Sequence, residues 1–155
     1  MRSEDMAALV ATASPLRLVV LNYELAMRKI HAAKEAGEGS DEAAFAAHVR
    51  EARAFVMLLA ESLDMTFEIS AQLLQLYLYC DGVLARAVIR QEPPGVCEAC
   101  DVLGSLLDAW RSLAREEKNT APVMENADAL VAGMTYNGRA LAELVLGGET
   151  RGFWA

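Results

Sequence analysis

A chain of 155 residues is about the length of one domain with a single buried core, and apolar residues make up 54% of it. That is too much for a disordered chain, and the abundance of Ala and Leu with only 4 prolines favours helix almost throughout. The net charge of −8 repels nucleic-acid phosphates and anionic membranes, no apolar run reaches the roughly 18 residues of a span, and three cysteines make no disulfide framework.

The opening, Met1-Arg-Ser-Glu-Asp-Met, lacks the basic-then-apolar order of a signal peptide, so a cytoplasmic location is expected. Residues 1–13 read as an N-terminal cap segment. The first helix opens at Ser14-Pro15, where Ser caps and Pro suits the first helical position, and runs over 16–35 until Gly37-Glu38-Gly39. The second begins at Ser40-Asp41 and runs to about residue 63. The third covers about 67–90 and stops before Pro93-Pro94-Gly95. The fourth covers about 96–118 and stops before Pro122. Short connections make neighbours antiparallel, so the expected fold is an all-α, up-down four-helix bundle over 14–118. Beyond it, 119–155 reads as a short extra helix at 123–132, a further turn or two at 139–146, and a flexible tail.

Helical periodicity separates the four segments. The second has one stripe (Phe45, Val49, Ala52, Val56, Leu59, Leu63), and so has the fourth (Val96, Cys100, Leu103, Leu107, Trp110). The first carries a main stripe (Leu16, Val20, Tyr23, Met27, Ile30) and, on its opposite side, Leu18, Leu21 and Leu25. The third carries Ile69, Leu73, Leu76, Cys80, Val83 and Leu84, with Leu74, Leu78, Ala85 and Ile89 roughly opposite. A four-helix core needs one stripe per helix. The surplus is expected to meet the C-terminal segment, a second copy, or another protein. The candidate partner-binding residues are therefore Leu18, Leu21, Leu25, Leu74, Leu78 and Ile89.

No constellation marks an enzyme. Cys97-Glu-Ala-Cys100 is a lone C-x-x-C without the second ligand pair zinc wants. The residues three before His31 and His48 are Arg28 and Phe45, so neither makes the Glu-x-x-His motif of a di-iron bundle, and both histidines read as solvated. No catalytic residue, metal or cofactor is expected.

Three stretches resemble the flagellin export chaperones, the FliS family. The first is Val10-Ala-Thr-Ala-Ser-Pro15 followed by Leu18-Val-Val-Leu-Asn-Tyr23-Glu24, against the family's V-x-T-A-S-P and L-Y-D/E. The second is Ser62-Leu-Asp64, Glu68-Ile-Ser70, Leu73, Leu76-Tyr-Leu-Tyr79 and Arg86. The third runs from Leu103 through Leu107 to Ala109-Trp110. Together they span about residues 10–118. The sequence departs from the family at Met65-Thr-Phe67, where many members carry a glycine pair, and at Leu25, where glycine often follows L-Y-D. The resemblance implies a stoichiometric chaperone, not an enzyme. It would bind the disordered C-terminal region of flagellin as amphipathic helices, hold it from premature polymerisation, and deliver it to the flagellar export apparatus. For Tyr77 a core role is favoured, whereas Tyr79 lies nearer the polar flank. The residues by themselves also allow a homodimeric helical regulatory or structural module without a flagellin client. A monomer or weak dimer is expected.

Overall fold

The structure is a computed structural model and describes residues 14–119. The expected cap segment (1–13), the helices at 123–132 and 139–146 and the tail lie outside the described residues. Four α-helices follow in order: α1 (Pro15–Glu38), α2 (Glu42–Glu61), α3 (Glu68–Ile89) and α4 (Val96–Asn119), with a 3-10 turn at Pro93–Gly95 before α4. α1 packs on α2 and α4, and α3 packs on the same two helices, so the chain closes a ring of four around one core. This is the all-α bundle that the periodicity predicts.

The helix ends follow their cap chemistry. Ser14 Oγ accepts from the Arg17 amide at 3.3 Å, and Pro15 sits at the first helical position. α1 ends at Gly39, and Ser40 takes a positive φ of 57° so that the Asp41 amide can reach back to the Ala36 carbonyl. Asp41, the second of the two expected cap residues, then accepts from the Ala44 amide at 3.0 Å and starts α2. The turn between α2 and α3 works without a glycine pair. Asp64 Oδ1 accepts from both the Thr66 amide (2.9 Å) and its hydroxyl (2.7 Å), folding the chain by a side-chain turn.

At the far end, Gln91 (φ 54°) closes α3, and the Glu92 amide donates to the Ala87 carbonyl. Two close approaches bring the loops together there. A Cβ on Gly37 would lie 2.4 Å from Pro93 Cβ, and one on Gly95 would lie 3.3 Å from Ala87 Cβ. Glycine is what lets the end of α1 and the turn before α4 touch.

At mid-height, Tyr23 of α1 and Tyr77 of α3 share a hydrogen bond between their hydroxyls across the bundle axis. Trp110 of α4 tilts against Tyr23 at a centroid distance of 6.4 Å. Burial pushes the Tyr77 hydroxyl up to about 12, and Tyr23 higher still, with the neighbouring tyrosine adding to the rise. Asn22, beside Tyr23, is wholly buried, and its amide has no partner among the described residues.

Candidate docking surface

The two helices that show surplus apolar stripes end differently. On α1, Leu18, Leu21 and Leu25 are buried to 6%, 7% and 6% exposure and belong to the core. The open surface expected there is corrected. α1 is flanked by α2 on one side and α4 on the other, its contact with α2 being the most extensive between any two helices. Its buried residues run from Leu21 round to Leu16 on the wheel, an arc of about 220° at 100° per residue. A helix pressed from both flanks uses both stripes.

On α3 the second stripe stays outside. Ala71, Leu74, Leu78, Gly82, Ala85 and Ile89 share an arc of about 80° pointing away from the core. Leu78 is 49% exposed and Ile89 80%, while Leu74 is half-buried at the edge toward the core cluster. One side of this stripe is bounded by a two-point ion pair to α2, where Arg53 donates to Asp81 at 2.8 and 3.2 Å. Arg86 and Gln75 border the other side. Of the six candidate residues, then, the structure groups Leu74, Leu78 and Ile89 on one face and sends Leu18, Leu21 and Leu25 inside.

α3 holds a second correction. Ile69 and Leu76, expected on its core face, are 42% and 37% exposed, whereas Ser70 and Tyr77 point inward. Both lie in the first half of α3 on the wheel arc that Val83 and Ala87 bury further along the helix, so it is position along α3, not rotation about its axis, that separates them from the core. Ile69 and Leu76 are left at the rim toward α4. Tyr79 shares that rim, and its hydroxyl donates to the Glu98 carboxylate of α4. Val102, Leu106 and Leu113 are half-buried on the same flank of α4, between Glu98 and the buried face. Sequence reading missed this second apolar edge. The signal available was the i, i+7 pair Ser70 and Tyr77, which marks the inward line only once Tyr77 is known to have a buried partner. The inward Tyr77 and outward Tyr79 agree with expectation.

Nothing on these faces is arranged for bond chemistry. Burial pushes the Cys80 thiol up to about 11, and it also raises Cys100, so neither of these thiols is activated. Cys97 and Cys100 are both half-buried, and Cys100 packs against the core cluster, as its place on the stripe of the fourth helix predicts. His31 is exposed, but His48 is half-buried with its Nδ1 unpartnered among the described residues, which corrects its solvated reading. Among the described residues no group of His, Cys, Asp or Glu side chains could hold a metal ion, and no helix is long and apolar enough to cross a membrane.

The fold and its surface define a class: an antiparallel four-helix bundle in which one helix turns an apolar face outward. Comparison with known families narrows this further. The family model described as flagellar protein FliS matches residues 2–117, and the chain belongs to the FliS family. That is a family of flagellar export chaperones and not of enzymes. Comparison with individually curated proteins gives no match.

Proposed function

We propose that this protein is a cytoplasmic export chaperone for flagellin, which docks the disordered C-terminal region of flagellin on the outward stripe of α3. The observation that carries this reading is the stripe itself, apolar or small at all six positions from Ala71 to Ile89 and uncovered at Leu78 and Ile89 in a FliS-family bundle. It is about 27 Å long, room for five turns of an amphipathic partner helix.

The physical logic is that of a temporary substitute. Flagellin's terminal segments carry apolar faces with no burial partner until the filament forms. Left free, they would pair with each other. Leu74, Leu78 and Ile89 accept such a face, each buried aliphatic side chain contributing about 1.5–3 kcal/mol, against about 2–5 kcal/mol lost in ordering the client. The net is a hold firm enough to prevent polymerisation and loose enough for delivery to the export apparatus. The edge formed by Ile69, Leu76 and Tyr79 supports a client that wraps past the first helix.

Titration calorimetry of the full chain with a flagellin C-terminal peptide should show one-to-one binding. Leu78→Asp with Ile89→Asp should weaken it by about tenfold or more while helicity is unchanged, since both side chains lie outside the core. Unchanged affinity in that folded variant removes the site assignment. Absence of binding by the unaltered chain removes the client. Dimerisation through the stripe in sedimentation, without peptide binding, favours a self-associating module.

A further inference from the structure

The groove between α2 and α3 runs past the outward stripe into a cleft of about 560 Å³, at the end of the bundle where α1 and α3 stop. The Arg53–Asp81 pair sets the level of the two antiparallel helices. Seven residues further toward that end, Ala46 of α2 comes level with Val88 of α3, and both line the cleft. Val88 is the neighbour of Ile89, the last residue of the stripe. Phe45 and Pro93 complete an apolar floor, and Asp41 and Glu42 stand on the rim. Ser40 and Gln91, both at positive φ, wall the cleft where the two turns meet.

Charge around the cleft is one-sided. Asp41 gives one carboxylate oxygen to the Ala44 amide and keeps the other. Neither Asp41 nor Glu42 has a cationic partner among the described residues. Glu38 and Glu92 lie one residue from the lining, and α1, with no basic residue in its last turn, adds the negative end of its dipole. Against these stand the N-terminus of α2, which Asp41 caps, and Arg90, which falls on the α4 side of α3 by the wheel. An apolar floor under an acidic rim suits a side chain with an aliphatic stem and a cationic tip. An acidic group would be repelled there, and a purely apolar one would strip water from the two carboxylates.

We propose that this cleft receives a lysine or arginine side chain carried at the end of the partner helix that lies on the stripe of α3. The inference rests on the docking of a client along that stripe and adds a chemical requirement to it. A basic residue must flank the client's apolar face at the end nearest Ile89. The stem packs on Phe45 and Val88, and the charge meets Glu42 and the free oxygen of Asp41. Such an anchor fixes the direction and register of the client, which a stripe of aliphatic side chains by itself leaves free to slide.

Nuclear magnetic resonance of the full chain tests the cleft with Nα-acetyl-argininamide and its uncharged citrulline counterpart. The arginine compound should give saturable shifts at the amides of Ala43, Ala46, Val88 and Gln91, at about millimolar concentration. Asp41→Asn with Glu42→Gln keeps a capping side chain at 41 and should weaken binding by about threefold or more. The citrulline compound should be weaker by a similar factor. Glu61→Gln, at the opposite end of α2, should change nothing. Shifts scattered over the acidic surface, or unaffected by the double variant, overturn the proposal, and so does equal binding of the citrulline compound. In calorimetry with the flagellin C-terminal peptide, the same double variant should lose about threefold or more in affinity. Full affinity there also overturns the proposal. Failure of the peptide on the unaltered chain, with the arginine compound still held at the cleft, removes flagellin as the client and supports the cleft.

Discussion

α1 and α3 look alike on a helical wheel, each with two apolar stripes, yet they occupy opposite regimes in the fold. α1 buries both stripes, while α3 buries one and shows the other. The difference teaches that surplus apolar surface on a helix is a question about its neighbours. α1 is squeezed between α2 and α4, and Leu18, Leu21 and Leu25 fill the flank that results. α3 touches the same two helices less extensively, and its residues opposite the core meet solvent.

The largest expected effect tests that contrast directly. Leu25→Ala should lower the free energy of unfolding in urea by about 2–5 kcal/mol, the cost of emptying a core site. Leu78→Ala should change it by no more than about 0.5 kcal/mol, as on an open surface. Equal effects would erase the distinction between the two helices.

A glycine pair sharpens it at a smaller scale. Gly37→Ala near the end of α1 drives a methyl into Pro93, at 2.4 Å, and should destabilise by about 1–3 kcal/mol even though alanine is the better helix former. Gly82→Ala on the open side of α3 meets nothing closer than the Arg86 guanidinium at 3.6 Å. It should stabilise by about 0.5–1 kcal/mol. Thermal melts of the two variants should move in opposite directions.

A third test concerns the bond that joins the two helices. Tyr77→Phe removes the hydroxyl contact with Tyr23 and should cost about 0.5–1.5 kcal/mol. Both hydroxyls are raised above their ordinary value of 10.0 by burial, Tyr77 to about 12 and Tyr23 further. The folded state therefore holds their protons more tightly than the unfolded chain does. Stability from this source is complete below about pH 10 and is lost as pH rises through about 12 and beyond. Urea midpoints at pH 8 and 11 should diverge in the parent chain and diverge less in Tyr77→Phe.

Much of the fold was legible in the sequence because helix signals are local. Ser14-Pro15, Asp41, the Pro93-Pro94-Gly95 run and the 3.6-residue periodicity place all four helices within a few residues of their observed ends. On α3 the outward Leu78 and Ile89 were equally legible, since they lie directly opposite the core line. The fate of Leu18, Leu21 and Leu25 was not, because nothing in the pattern of α1 records how closely α2 approaches. Ile69 and Leu76 misled for a related reason. They share the wheel arc of the buried Val83 and Ala87, and only the packing of neighbouring helices along α3 leaves them at the rim. Asn22 shows the limit most plainly: it is a polar side chain in an apolar helix, sealed in the core with its amide unpartnered among the described residues.

The sequence by itself determined that this protein is helical, where each helix starts and stops, and to which family it belongs, since caps, breakers and motif order are properties of neighbouring residues. Only the tertiary structure decided which apolar stripes face inward. Burial depends on the distance and tilt between helices far apart in the chain, which no local pattern of residues records.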